Sequence, residues 1–391
     1  MKSKTRIIHH RADEPAPGNR PLVSPIYQSV KFELESLTEV ERAWNNESGA
    51  YHYSRTANPT VRELETLLAE LQGQEACVAV STGMAAVAAT LIALLSQGDH
   101  VLICVETYGP TRSLLLKTLA RFGVKTTLIS MDDHVGIERV LAATPTRLVW
   151  FESPTNPALK IADISFIVKA AKGCGALTVI DNTFAGLEAH AGFGIDLFVH
   201  SLTKSAAGHG DVMGGAVMGQ RALVDKIRTQ VIALGPTLDP HAAFLISRGL
   251  KTYHIRREAQ CRHALVIARF LESDPRVTRV RYPGLASHPG FALAAKQMPD
   301  SGSVVTIDLS GTAEQSRLFA DSLQLFASVA SLASTESLIV QPQLMQPREL
   351  PAALRAFADI GPTTARLSIG LEDTDDLIAD LTAALGAAFG E

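Results

Sequence analysis

Lys204 stands in the stretch HSLTKSAAGHGD (200–211), flanked by Ser201, Thr203 and Ser205 and followed by Gly208-His209-Gly210. An amine so placed can attack an aldehyde and hold it as a Schiff base, while the neighbouring hydroxyls donate to and accept from a bound anion. Two other stretches offer complementary chemistry. Ser81-Thr82-Gly83-Met84 joins a capping hydroxyl to a glycine, and the free N–H groups of a first helical turn favour a phosphate. Asp181 closes the apolar run LTVID and precedes Asn182-Thr183, so its carboxylate either caps the next segment or holds a cationic nitrogen. Each feature alone has a plainer reading: a solvated lysine, a helix cap, a capping aspartate. Their joint placement decides between the readings.

That placement comes from the elements. Ala76–Val80, Val101–Val105, Arg147–Phe151, Leu177–Asp181 and Asp196–His200 read as short apolar strands, with helices between them. The segment from Met84 to Leu95 is apolar on all sides and reads as a buried helix, and SFIVKAAK ends a helix at Gly173 and Gly175. Alternating strands and helices predict an α/β fold with a mainly parallel sheet covered on both faces. Ligands of such sheets bind outside the carboxyl ends of the strands, where all three clusters fall. Beyond about residue 250 the pattern changes. Ser303–Leu309 and Arg366–Leu371 alternate as half-buried strands, and Thr312–Phe326 and Thr374–Phe389 read as amphipathic helices, the last capped by Asp373 or Thr374. This predicts a smaller C-terminal α+β domain. The first fifty or so residues, with Pro15, Pro17, Pro21 and Pro25, read as an extended arm.

An amine, an anion cradle and a carboxylate for a ring nitrogen at neighbouring strand ends are together what pyridoxal 5'-phosphate (PLP) requires. The carboxylate keeps the pyridine ring protonated and electron-withdrawing.

Bulk properties narrow the class further. The chain has 391 residues, 46% of them apolar and 19% charged, with a net charge of −4, which supports a large core and argues against nucleic acid as a partner. Cys77, Cys104, Cys174 and Cys261 are widely spaced, show no metal-ligand pattern and fit reduced thiols. The N-terminal residues have no apolar stretch of the kind a secretory signal carries, and Ala85–Leu95 is too short to cross a bilayer. The expectation is a cytoplasmic protein without membrane or metal.

Eight stretches carry a resemblance. YSRTANPT (53–60), STGMAA (81–86), ETYGPT (106–111), ESPTNP (152–157), DNTF (181–184), HSLTK with GHGDVMGG (200–215), STESL (334–338) and RLSIGLED (366–373) resemble, in order, the Cys/Met-metabolism (trans-sulfuration) family of PLP enzymes. That family includes the cystathionine synthases and lyases and methionine γ-lyase. The resemblance implies the PLP-dependent transferase fold (aspartate-aminotransferase-like, fold type I) and a homotetramer built as a dimer of dimers. It divides the chain into an arm (1–57) reaching the neighbouring subunit's site, a PLP-binding domain (58–250) and a C-terminal domain (251–391). It makes Lys204 the Schiff-base lysine and Asp181 the partner of the pyridine nitrogen. Gly83 and Met84 would give backbone N–H groups to the phosphate, with Ser201, Thr203 and Thr183 also on the cofactor. Tyr53 and Arg55 would reach the phosphate across the dimer, and a guanidinium fork suits a phosphate dianion. Tyr108 would stack on the ring and move protons, and Asn156 would sit near the ring hydroxyl. Arg366 would hold the α-carboxylate of an amino-acid substrate, next to Ser331 and Ala330. Glu152 is expected to be structural support, and His209 with its glycines to be loop geometry.

The reaction is open between γ-elimination, β-elimination to pyruvate and γ-replacement, since Lys204 and Tyr108 serve all three. Ala330 stands where cystathionine γ-enzymes usually carry a glutamate for the distal ammonium and many β-lyases a tyrosine. An alanine there points to a less polar pocket and to γ-elimination from a methionine-, cystathionine- or canavanine-like L-amino acid. Against this, Pro110 stands where methionine γ-lyases often carry a cysteine, and YGPT is common in β-lyases; Ser205 and Ala333-Ser334 also depart from usual family residues. A PLP-bound regulator is the reading from another class, and the retained Lys204 and Tyr108 argue against it.

Overall fold

The apolar runs pair into one seven-stranded sheet: β1 (Ala76–Val80), β2 (His100–Cys104), β3 (Lys125–Ile129), β4 (Leu148–Glu152), β5 (Leu177–Asp181), β6 (Leu197–Ser201) and β7 (Gly215–Gly219). The structure is a computed structural model and describes residues 2–10, 21–45, 47–340, 350 and 352–390; Pro15 and Pro17 of the expected arm lie outside these. The strand order is β1-β7-β6-β5-β4-β2-β3. Only β7 runs antiparallel, to both β1 and β6, so the carboxyl ends of the other strands share one rim. Continuous apolar strands require cover on both faces. Helices Pro59–Gln72, Ile164–Gly173 and Pro240–Leu250 pack against Ile180, Phe198 and Met218 on one face. Helices Gly83–Leu94 and Arg221–Leu234 pack against Val80, Trp150 and Val199 on the other.

Strand β1 lies at the sheet edge, where backbone groups need partners other than a strand. Side chains supply them. Glu65 Oε1 accepts from the Ala79 N–H at 2.8 Å, and Arg228 Nη2 donates to the Cys77 carbonyl at 2.5 Å. The two side chains also pair with each other at 3.0 Å, with Glu65 almost wholly buried. They hold the strand that leads into Ser81-Thr82-Gly83.

A second sheet follows: β8 (Val277–Arg281), β9 (Val304–Leu309), β10 (Ala327–Ser328), β11 (Leu338–Val340) and β12 (Thr364–Ser368), in the order β10-β11-β12-β9-β8. Helices Ala313–Ser322 and Thr374–Phe389 cover it. The helix Tyr253–Ser273 joins the two cores: Tyr253 belongs to the first, Ala264, Ile267 and Leu271 to the second.

Three readings shift. The strand expected at Arg366–Leu371 is Thr364–Ser368, because pairing with β9 ends at Ser368. The helix expected to reach Phe326 ends at Ser322, where buried Asp380 takes the N–H groups of Gln324 and Leu325 (2.8 and 2.9 Å) and bends the chain away. The arm contains helices Ser3–His9 and Leu37–Trp44. The first is anchored by Ile7 in the main core, the second capped by Ser36. No described helix is long and apolar enough to cross a membrane.

Candidate active site

The strand rim opens into a cavity of about 1130 Å³ between the large sheet and the C-terminal sheet. Every site residue picked from the sequence lines it except Tyr53 and Arg55. Those two sit elsewhere on the chain. Tyr53 is 39% exposed, and the Arg55 guanidinium lies 5.6 Å from its ring and donates to the Ile232 carbonyl.

Lys204 follows β6 in a tight turn, its Nζ donating to Ser331 Oγ at 2.9 Å. Burial, and next the Arg366 charge, lower its pKa from the usual lysine value, which favours a reactive amine. The turn is held from behind. Arg256, 5% exposed, donates to the carbonyls of Ser205 (3.2 Å) and Gly249 (2.9 Å). Gly208 has φ +75°, and a Cβ there would run into the Arg256 guanidinium, so only glycine lets that arginine reach the lysine loop. His209 bonds the Ala207 carbonyl at 2.7 Å, a loop role.

Asp181 closes β5 and faces the cavity. Its Oδ1 accepts from Thr183 Oγ1 (2.6 Å) and Thr183 N (3.1 Å). Burial raises its pKa and the two Thr183 donors pull it back. The Thr183 hydroxyl also accepts from Ser201 N at 2.9 Å, linking the ends of β5 and β6. Tyr108 is 40% exposed above this floor, and its backbone N–H donates to Glu152 Oε1 at 2.6 Å. Burial, then the carboxyls of Glu152 and Asp181, raise the phenol pKa, so its hydroxyl keeps its proton.

Arg366 lies on β12, 6% exposed. Its Nη1 donates to Asn156 Oδ1 at 2.6 Å and its Nη2 to the Ser331 carbonyl at 2.7 Å, while its buried Nε has no acceptor. A buried guanidinium braced only by neutral acceptors calls for an anion. Burial pulls its pKa down to about 10.

PLP fits the opposite end. Thr82 caps the helix through Ala85 N (3.0 Å), and the N–H groups of Gly83 and Met84 remain open at its start. A Cβ on Gly83 would come within 2.9 Å of Ser201 Cβ, so glycine brings the Ser201 hydroxyl beside those N–H groups. Thr203 Oγ1 is engaged with the Gly214 backbone, accepting from N at 3.0 Å. The open N–H groups at Gly83 and Met84, the Lys204 amine and the Asp181 carboxyl thus face one cavity. Glu152, expected to be structural support, takes the Tyr108 N–H, whereas the contacts of Ser331 with Lys204 and of Arg256 with the lysine loop were not legible in the sequence. Only for Glu152, in ESPTNP beside a strand end, was there a local signal.

Comparisons with known proteins agree. The model of the family described as Cys/Met metabolism PLP-dependent enzyme matches residues 4–386. The chain is 41% identical over 389 residues to the L-methionine gamma-lyase of Pseudomonas putida, covering 98% of this chain and 97% of that one. A solved cystathionine gamma synthase from Xanthomonas oryzae pv. oryzae, in complex with cystathionine, superposes with a TM-score of 0.92 at 36% identity, covering 99% of this chain and 98% of that one. A putative O-acetylhomoserine (thiol)-lyase from Campylobacter jejuni also superposes at 0.92, with 32% identity, 98% of this chain and 100% of that one covered, and it carries a pyridoxyl-lysine phosphate. Strand-end chemistry, fold and whole-length similarity converge: this chain belongs to the Cys/Met-metabolism family of PLP-dependent enzymes.

Proposed function

We propose that the protein eliminates the γ-substituent of an L-amino acid with an uncharged distal group, methionine being the leading substrate: methionine and water give methanethiol, 2-oxobutanoate and ammonia. One observation carries the choice. The carboxyls lining the cavity are all spoken for in this reading: Glu106 pairs with Lys160 (3.1 Å) and accepts from Ser130 (2.7 Å), Glu152 accepts from Tyr108 N, and Asp181, held through one oxygen by Thr183, keeps its other oxygen for the ring nitrogen. With Ala330, Val340 and Ile360 on the outer wall, no described lining carboxylate is free to meet the distal ammonium of cystathionine. The similarity to methionine gamma-lyase supports the same reading.

Bound PLP supplies an aldehyde carbon for the amines and a protonated ring that draws electrons from Cα. The residues around it divide the remaining work. Arg366, braced by Asn156, takes the α-carboxylate on its open Nε side and fixes which face of Cα meets Lys204. The amine of Lys204, its pKa lowered, accepts the Cα proton and relays one from Cβ, with Ser331 Oγ holding Nζ in place. Tyr108 keeps a proton on its hydroxyl for the departing thiolate. Asp181, anchored by Thr183, would supply the negative charge that keeps the ring nitrogen protonated.

Tyr53 and Arg55 serve a neighbouring chain in this reading, with residues 1–57 as the exchanged arm, residues 58–250 and 251–391 as the two domains, a homotetramer as the assembly and the cytoplasm as the setting. The test supplies methionine, homocysteine, cystathionine, canavanine and O-acetylhomoserine and identifies the oxo acid. Methionine turning over to 2-oxobutanoate is expected. Predominantly pyruvate, the outcome of β-elimination, would refute it.

A further inference from the structure

The stretch 357–360 is held from two sides where it borders the cavity. On one side the Phe357 carbonyl accepts from Lys160 Nζ at 3.0 Å. Lys160 stands in the loop after β4, and the same amine pairs with buried Glu106 at 3.1 Å and with Asp132 at 3.4 Å. On the other side the Asp359 carboxylate accepts from Arg279 Nη1 (2.9 Å) and Arg281 Nε (3.2 Å), both on β8 of the C-terminal sheet. Arg281 is 3% exposed and also holds Asp308 on β9 at 3.1 Å. One hold thus comes from each domain.

Between and beside the two holds lie wall residues. Ala358 is buried against Val105 and Leu350, Ile360 packs on the same cluster, and both line the cavity. Asp359 has φ +52°, left-handed backbone that a residue other than glycine adopts at a cost, and its arginine contacts offset that cost. The reacting groups are held by other side chains: Lys204 by Ser331, the Tyr108 N–H by Glu152 and Arg366 by Asn156. Wall and chemistry therefore have separate supports.

We propose that residues 357–360 form a strap that limits the length of the substrate's distal chain, with Lys160 and Asp359 as its positioning residues. The proposal rests on the reading above in one respect, that an uncharged distal chain lies against Ala358 and Ile360. A wall fixed on both sides cannot back away from a longer chain, so a surplus methylene overpacks the pocket. With one hold removed, the strap yields and the surplus is accommodated.

The test uses the PLP-loaded enzyme and straight-chain L-amino acids that carry no leaving group: norvaline, norleucine, 2-aminoheptanoate and 2-aminooctanoate. Their Kd is read from the absorbance change of the bound cofactor. Wild type should lose about 10-fold or more in affinity at one step of the series, the factor for one surplus methylene in an apolar pocket. Two variants loosen the strap. D359G suits the left-handed backbone and leaves Arg281 paired with Asp308. K160M combined with E106Q removes the donor to Phe357 without leaving a buried carboxylate unpaired. Each should reduce the step to about threefold or less while binding norvaline within about twofold of wild type. The backbone N–H groups of Asp359 and Gly361, bonded to Ala356 O (3.2 Å) and Thr364 Oγ1 (2.8 Å), should exchange with deuterium faster in both variants. A step of wild-type size in the variants, no step in wild type, equal weakening of every ligand, or unchanged exchange each overturns the proposal. If one variant does not fold the other decides, and if neither folds the wall has no support of its own and the proposal falls. No member of the series can undergo elimination, so pyruvate from the substrate screen would refute the proposed reaction and leave this result standing.

Discussion

Replacing Thr183 by valine removes one hydroxyl and keeps the shape. That hydroxyl donates to Asp181 Oδ1 at 2.6 Å and accepts from Ser201 N at 2.9 Å. A hydrogen bond to a charged group contributes about 1.5–3 kcal/mol. At about 1.4 kcal/mol per pKa unit, its loss raises the Asp181 pKa by about 1–2 units. Asp181 already lies above the ordinary aspartate value because burial outweighs its Thr183 donors, and T183V removes the stronger restraint. The sign follows directly. In the proposed role Asp181 must be ionised to hold a protonated ring nitrogen, so the acid limb of kcat/KM should move to higher pH by about 1–2 units. Stability follows the same linkage. A carboxyl whose folded pKa exceeds its unfolded one costs stability as pH rises from the unfolded pKa through the folded one, and T183V extends that window upward. The assay is the pH profile of kcat/KM for wild type, T183V and T183S, with urea unfolding of each at acid and neutral pH. Serine should restore the wild-type limb. A valine variant whose acid limb overlies that of wild type would show that Thr183 does not hold the Asp181 charge.

Two further substitutions test the supports of the site. E65A leaves Arg228 without its carboxylate and the Ala79 N–H without an acceptor, and should cost about 3–5 kcal/mol in urea unfolding, while E65L combined with R228M recovers only the part due to the unpaired charge, since the Ala79 N–H and the Cys77 carbonyl stay without their side-chain partners; a single-variant loss within error would mean that the edge of β1 needs no such pair. G208A forces a side chain into left-handed backbone at φ +75° and against Arg256. It should destabilise by about 2–5 kcal/mol, combining the left-handed penalty with overpacking; adding R256M should restore part of this, and no restoration would separate Gly208 from Arg256.

Much of the core and several candidate groups were readable along the chain. The strands Ala76–Val80 and Leu177–Asp181 appear where the apolar runs place them, because a strand buried on both faces must be continuously apolar. The β7 strand escaped notice because Gly215 and Gly219 dilute its apolar pattern, and so did its antiparallel direction, which only pairing fixes. Strand β3 was missed for a related reason: at the far edge of the sheet it carries Lys125 and Thr126, and it is buried only at Ile129.

The sequence by itself determined which groups can do the chemistry. An amine among hydroxyls, a glycine opening a helix and an aspartate closing a strand are local facts, set by neighbours a few residues away. Tertiary structure alone decided how those groups are tuned. Lys204 meets Ser331 across 127 residues, Arg366 meets Asn156 across 210, and Glu152 meets the Tyr108 N–H across 44. Protonation and orientation depend on burial and on partners brought from distant strands, and no local pattern along the chain encodes which strand end will lie beside which.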